Sequence, residues 1–587
     1  MSIHTAVILG SLAAAVSGAS AQNPFPPYHV ERTKILLTGE DAPGIPGCTV
    51  ASFLAPQIDG AGKVLIDGNI SGPGVTAANN SAVWYGDENG LMLVIREGDP
   101  APSIPGAFIA EPMVPDLCES GTIAMSCYLT GPAIDPAVNA RATFAGPPTG
   151  LQKIVQAGDP APFTEPGTVF ASSFFFGVSI SDNGSLLLHY DLAGPAIDST
   201  NDRAMYVGYP DNPQLIWRRG MQAPGCEEGV VFGSADGVSF NDAGQIAFRS
   251  TLAGTDVASA NNTGYWAGGA GELELVAREG SQAPDQPPGV ILNGCNFPGM
   301  NRFGEIGFFS PLAGAGISSA NNHAVWTGER SDPLVLLQKG DFAPGAPPGV
   351  TLAAVSVSGI VPVNELGQSV VFAFLAGPSV TDASDYASYL GDSAGMQLVL
   401  REGDALPNLG DDLFAGPAGS KYAMNDVGDF ATAMALTGVG VTTENDKSVW
   451  VRRGSGWWVP LLRSGDVLDG FTVAGGSLVS FSPVTDTTGG GDAIAQRFND
   501  AAQLAMRVPY LGGAFGVYIL NGSHAGDADF DGDIDDVDYA EFQMCLAGPD
   551  GDLPIGACGV VDFDVSDHVD LGDFRVLQEA FSGAELP

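Results

Sequence analysis

The segment DADFDGDIDDVD, residues 527 to 538, holds seven aspartates in twelve positions. Carboxylates packed that closely repel one another by roughly 1 kcal/mol per neighbouring pair in water, and by several-fold more when partly buried. A hard cation would cancel that repulsion. Asp527, Asp529 and Asp531 fall at positions 1, 3 and 5 of a calcium loop, with Gly532 at position 6, where the chain must turn sharply. Asp533 offers its backbone carbonyl at 7, Asp535 sits at 9 and Asp538 closes the loop at 12. A second copy, DFDVSDHVDLGD, spans residues 562 to 573. Here Asp562, Asp564, Ser566, Asp570 and Asp573 take positions 1, 3, 5, 9 and 12, and His568 offers its carbonyl at 7. Asp567 replaces the glycine, a tolerable change because Asp enters the left-handed region more readily than most residues. With one neutral ligand, this second loop should bind the more weakly.

A helix is expected after each loop. Tyr539, Phe542 and Leu546 match Phe574, Leu577 and Phe581 at the same offsets, so each helix carries one apolar stripe and the two should pack together. Two loop–helix units with Asp rather than Glu at position 12 resemble the type I dockerin module, over residues 526 to 583. That resemblance implies an EF-hand-like domain folded by calcium, which anchors extracellular bacterial proteins, often polysaccharide-degrading enzymes, to cohesin receptors. The implied partner is a cohesin-like or cell-surface protein. Positions 10 and 11, commonly a Ser-Thr pair in that family, are Asp536-Val537 and Leu571-Gly572 here. Calcium binding therefore carries over more readily than cohesin binding.

Other chemistry is hard to find. No H-E-x-x-H zinc motif, G-x-S-x-G elbow or G-x-x-x-x-G-K-[ST] phosphate loop occurs. His189 and His323 stand isolated, as structural residues do. Asp99, Asp159, Asp341, Asp404 and Asp466 could pair as acids for glycoside cleavage. Because the same aspartate recurs, closing a turn is its better explanation. A catalytic residue should break the repeat's symmetry, and no convincing break stands out.

The elements that would position any such site are repeats. REGDPAP (96–102) has near-copies along the chain, with glycines at 39, 98, 158, 220, 280, 340, 403 and 465, a period of about 61 residues. Each period continues with an apolar stretch and then a turn such as SDNG (181–184), NDAG (241–244), NRFG (301–304), NELG (364–367) or NDVG (425–428). Asn and Gly suit the φ > 0 conformations of tight hairpins. A second strand follows, then a third with an aromatic at a fixed place (Trp84, Tyr206, Trp266, Trp326, Trp450), then a fourth such as LMLVIREG. Four strands per unit, many times over, predict a mainly β fold built as a β-propeller over residues 22 to 522. The region is similar to tandem-repeat segments of secreted planctomycete-type bacterial proteins with Asn-x-x-Gly turns, a resemblance that implies no activity.

HVERTKILLTGEDAP reads as a fourth strand and turn with nothing before them, while the last unit, ending at GAFGVYIL (513–520), lacks a fourth strand. An N-terminal strand completing the last blade would remove both exposed edges. Eight blades are expected. A seven-bladed ring with one unit elsewhere, two smaller propellers and an open solenoid are the alternatives.

The composition frames these parts. The net charge of −44 would repel nucleic acid and anionic membranes and attract cations. Residues 1 to 21 read as a signal peptide cleaved after Ala19-Ser20-Ala21, and no later apolar run is long enough to span a bilayer. Export is expected, to the extracellular space or the cell surface. Cys545 and Cys558 are a plausible disulfide; Cys48, Cys118, Cys127, Cys226 and Cys295 are an odd set. Two functions fit. One is a secreted, calcium-dependent binding or scaffold protein whose propeller takes a carbohydrate or protein ligand. The other is an exported hydrolase of O-glycosyl bonds in polysaccharide, tethered by the C-terminal module.

Overall fold

The computed structural model describes residues 32–209, 211–357, 360–406, 413–454, 458–475, 497–522, 536–546, 561 and 569–580. Seven consecutive antiparallel sheets follow the repeat, and within each the strands neighbour one another in chain order. Blade 1 runs Thr49–Phe53, Val64–Ser71, Ser81–Asp87 and Gly90–Arg96. Blade 4, a regular example, runs Val231–Phe240, Ile246–Ala253, Thr263–Gly268 and Glu274–Arg278. Blades 1 and 5 each carry an additional two-residue strand. The eighth sheet pairs Gln503–Pro509 with Phe515–Asn521, and Phe515–Asn521 with Arg32–Leu37, antiparallel throughout. The chain's first described strand is therefore the outer strand of its last blade, as the sequence predicts. On the inner side of that blade, Val473 bridges Tyr510.

Closure is more than a pairing of strands. Each of the eight blade-to-blade interfaces has its own buried core. Val517 and Ile519 of blade 8 pack with Val50, Ile66 and Trp84 of blade 1, and Leu504 and Met506 of blade 8 pack with Ala433 and Val449 of blade 7. Every sheet face is thus covered by the next blade. This is why the strands read as nearly continuous apolar runs rather than as an in–out alternation.

The aromatics of the third strands are fully buried, including Trp84, Tyr206, Trp266, Trp326 and Trp450. Their polar atoms explain a second regularity. The indole Nε1 of Trp84, Trp266 and Trp326 donates to the carbonyls of Pro43, Pro224 and Pro284 at 2.9, 3.0 and 3.0 Å. Tyr206 Oη donates to Pro162 O at 3.1 Å. Each proline ends the Gly-Asp-x-x-Pro turn leading into the same blade, so the two repeated motifs are halves of one contact. A buried indole N–H needs such a partner.

Among the described residues helix is confined to α1 (Asp536–Cys545) and α2 (Leu571–Ala580). They share a small core of Phe542, Val561, Val569 and Leu577, and Phe574 lies 6.0 Å from Tyr539 and 5.8 Å from Phe542, ring centre to ring centre. Leu546, expected on the same stripe, is instead 47% exposed, and its counterpart Phe581 lies outside the described residues. Cys545 is disulfide-bonded; Cys558, its expected partner, also lies outside them. The other five cysteines are free. No described helix is long and apolar enough to cross a membrane.

Candidate functional site at one end of the channel

Because the strands alternate in direction, the turns between first and second strands all lie at one end of the propeller, and the Gly-Asp-x-x-Pro turns all lie at the other. The eight first-to-second turns are residues 59–62, 118–121, 181–184, 241–244, 301–304, 364–367, 425–428 and 499–502. The glycine in fourth place is in the left-handed region, for example φ +82° at Gly304, and Ala502 adopts φ +57° in the same role. The leading asparagine is not, contrary to the sequence expectation. Its side chain reaches sideways instead. Asn241 Nδ2 donates to Asn301 O, Asn301 to Asn364 O, Asn364 to Asn425 O, Asn425 to Asn499 O and Asn499 to Asp59 O, at 2.9–3.2 Å. Asparagine recurs because one amide can close its own turn and stitch it to the next blade.

The second position of each turn completes this end of the ring. In blade order it holds Gly60, Glu119, Asp182, Asp242, Arg302, Glu365, Asp426 and Asp500. Asp182 Oδ1 accepts from Ser120 N at 2.8 Å, Asp426 Oδ1 from Glu365 N at 3.2 Å and Asp500 Oδ1 from Asp426 N at 2.9 Å. Arg302 forms an ion pair with Glu365. Glu119, Asp426 and Asp500, from blades 2, 7 and 8, each place one carboxylate oxygen within 4.8 Å of the others. These turns therefore converge on the axis, and the first strands are the ones nearest it.

Burial, and after it crowding, raises the acids' proton affinity. Burial, reinforced by Asp500, Asp182, Glu365 and Asp242, pushes Glu119 up to about 7. Burial and then Asp500, Glu365 and Glu119 push Asp426 up to about 8. Asp182, Asp500 and Glu365 are also raised, burial first in each case. At neutral pH this group either keeps protons or attracts a cation.

Beside Asp426 and Asp500 a cavity of about 940 Å³ opens between blades 6 and 7, walled by Leu366, Leu390, Met396 and Val427 and by Arg452. Arg452 lies on the third strand of blade 7, Lys447–Arg452, two residues after Trp450. The residue two places after the aromatic is glycine in six other blades: Gly86, Gly146, Gly208, Gly268, Gly328 and Gly391. This is a break in the repeat's symmetry, and aligning the third strands on their aromatics would have revealed it. The second-position acids were missed because the turns were read for their Asn and Gly alone, and the turns DGAG, CESG and NDAA were not recognised.

The sequence's own candidates divide. At the far end, Asp99 Oδ2, Asp159 Oδ2 and Asp466 Oδ2 accept from Arg96 N, Gln156 N and Arg463 N at 2.9, 2.8 and 3.0 Å, and Arg401 pairs with Asp404 at 3.1 Å. Those aspartates close turns, as expected. His189 is buried, which lowers it to about 3, and His323 stacks on Phe309 with ring centres 5.7 Å apart. Of the loop ligands, Asp538 and Asp573 are fully buried, Asp573 Oδ2 accepts from Asp570 N at 2.8 Å, and Asp570 Oδ1 accepts from Gly572 N at 2.6 Å. Asp527, Asp529, Asp531, Asp533, Asp535, Asp562, Asp564, Ser566 and His568 lie outside the described residues.

Fold and channel mouth together define an eight-bladed β-propeller with an acid-lined end. The chain belongs to a family of unknown function, DUF7453, which matches it twice, over residues 29–284 and 261–522. No curated protein matches the chain. Among solved structures it is similar to the β-propeller domain of the Trilobed protease from Pyrococcus furiosus, at 8% identity and a TM-score of 0.33, covering 71% of this chain and 100% of that one. It is also similar to prolyl oligopeptidase B from Galerina marginata, at 11% identity and a TM-score of 0.35, over 72% of this chain and about half (52%) of that one. A third likeness is to an ulvan lyase, at 9% identity and a TM-score of 0.27, over 84% and 95% of the two chains. These likenesses are too distant to speak to function.

Proposed function

We propose that the protein is an exported binding or scaffold protein whose propeller takes its ligand at the acid-lined end, with the C-terminal module as a calcium-folded attachment domain of dockerin type. One observation carries the reading of the propeller. The far-end aspartates whose bonds are described above are engaged in closing turns or pairing with arginine, whereas the acids at the near end converge on one another and adjoin a cavity. The chain also leaves the ring at the near end, where Gly522 N donates to Ala502 O at 2.9 Å and Gly522 O accepts from Arg453 at 3.2 Å.

For the C-terminal module, the residues described fit a hard cation. Asp538 and Asp573 close the two loops and are fully buried, and a carboxylate withdrawn from water needs a cation or donors around it. Asp527, Asp529, Asp531, Asp533 and Asp535 would complete the first loop, and Asp562, Asp564, Ser566, His568 and Asp570 the second. Calcium there supplies charge cancellation and hence folding energy. Chelation with EDTA should melt this module and leave the propeller's β circular dichroism in place. An unchanged tail, by limited proteolysis, would remove calcium from the account.

A second reading is supported by Glu119, Asp426 and Asp500. Glu119, raised to about 7, could serve as the protonated general acid of a glycoside-hydrolysing pair, with a neighbouring carboxylate that must stay ionised as nucleophile or base. Incubating the purified protein with plant and algal polysaccharides separates the two. Retention without new reducing ends fits binding; release of reducing ends, lost in Glu119→Gln, fits hydrolysis.

A further inference from the structure

We propose that the cavity between blades 6 and 7 binds a free amino acid or short peptide with an apolar side chain, its ammonium group at Asp426 and Asp500 and its carboxylate at Arg452. This deepens the binding reading and rests on it.

Arg452 is the first break. Where six blades carry glycine, blade 7 carries a long cation that lines the cavity and, among the described residues, forms no ion pair. Its Nη1 donates to the carbonyl of Arg453 at 3.3 Å, a long bond to a neighbouring residue. Burial is unfavourable for a guanidinium and the nearby Asp429 offsets it only in part, so an anionic group entering the cavity would relieve it further. The neighbouring Arg453 is already engaged with Asp429 at 3.2 Å, so the two arginines are not interchangeable.

The apolar wall is the second break. The third position of the first-to-second turn holds Ala61, Ser120, Asn183, Ala243 and Ala501 in five blades. In blades 5, 6 and 7 it holds Phe303, Leu366 and Val427, which are 64%, 54% and 40% exposed. Leu366 and Val427 line the cavity together with Leu390 and Met396. Exposed apolar side chains of this size at the mouth of a cavity are of the kind that marks a binding site.

The acids supply the opposite charge. Asp426 and Asp500 line the same cavity from its axial side. A ligand with an ammonium, a carboxylate and an apolar body would satisfy all three walls, whereas a simple diamine would leave Arg452 unpaired. A volume of about 940 Å³ lies within the ordinary range for small-ligand sites and has room for a dipeptide.

The test is calorimetry on the full chain with L-leucyl-L-leucine, its N-acetyl derivative and its C-terminal amide. The free dipeptide should bind, and each block should weaken it about tenfold or more. Arg452→Gln should remove the preference for free acid over amide while keeping the preference against N-acetylation; Asp426→Asn should weaken the latter preference. Thermal melts establish that the variants fold, and the blocked ligands on the unaltered protein need no variant. No binding, or equal binding of the doubly blocked dipeptide or of 1,5-diaminopentane, overturns the proposal. Glycan retention by a protein that ignores the dipeptide would sink this inference and leave the broader binding reading standing.

Discussion

Both ends of the propeller carry a recurrent carboxylate, with opposite consequences. At the Gly-Asp-x-x-Pro end, Asp99 and Asp159 each accept a backbone N–H three residues back, at 2.9 and 2.8 Å. Such a bond stabilises the turn. At the other end, Asp426 also accepts a backbone N–H, but burial, and then the charges of Asp500, Glu365 and Glu119, drive its proton affinity up to about 8. Residue type and periodicity are shared, and burial raises Asp341 and Asp466 as well; what separates the ends is that carboxylates from blades 2, 7 and 8 come within 4.8 Å of one another at the axial end. Each end carries six such acids; spread around a rim each is held by its own turn, whereas gathered near the axis they call for protons or cations.

The largest effect should come from undoing closure. Deleting residues 32 to 37 removes the strand paired with Phe515–Asn521 and exposes the apolar interface that Leu36 and Leu37 help to cover. The expected result is failure to fold cooperatively, read by calorimetry; an unchanged melt would mean that the ring tolerates opening. Trp266→Ala should come next, at about 3–5 kcal/mol by chemical denaturation, since it leaves a cavity and an unmatched Pro224 carbonyl. A cost under 1 kcal/mol would show that the blade cores are not individually tight.

The two ends can then be set against each other by pH. The folded state holds protons on Glu119 and Asp426 that the unfolded chain releases near pH 4, so it binds more protons than the unfolded state between there and about 7 to 8. Stability contributed by this end is therefore greatest at low pH and falls as pH rises through that window, the reverse of an ordinary salt-bridged carboxylate. Asp426→Asn should raise the melting temperature at pH 8 and flatten its decline. Asp159→Asn should lower it at both pH 6 and pH 8, because it removes the ion pair with Lys153 and weakens the acceptor for Gln156 N. If both variants respond alike, the contrast between the ends is wrong.

Much of this architecture was legible in the sequence because it is periodic. The 61-residue spacing, the unpaired first strand and the aromatic of the third strand gave blade number and closure, since each reports a demand that every unit shares. What stayed hidden was aperiodic or needed the ring to be closed first. Glu119 and Asp500 are separated by most of the chain and meet only because blades 2 and 8 flank a single blade. Arg452 was visible as a departure from six glycines, yet its setting beside Leu366 and Val427 required the fold. The asparagines were read correctly as turn residues and incorrectly in mechanism, because a bond to the following repeat leaves no mark on local sequence.

That last point gives the smallest and most specific prediction. Asn301 spends Nδ2 on Asn364 O at 3.0 Å and Glu305 Oε2 at 2.7 Å, while its Oδ1 accepts from the backbone N–H groups of Phe303 and Glu305 at 3.1 and 3.0 Å. Asn301→Asp keeps the acceptor for the turn and removes the donor to blade 6, adding a carboxylate beside the second-position acids. Asn301→Ser keeps a short acceptor without the charge. If the asparagine serves only its own turn, both variants should melt close to the parent. If it stitches blades, Asn301→Ser should cost about 1 kcal/mol, and Asn301→Asp more at pH 8 than at pH 5, because only the ionised form adds to the crowding at the axis.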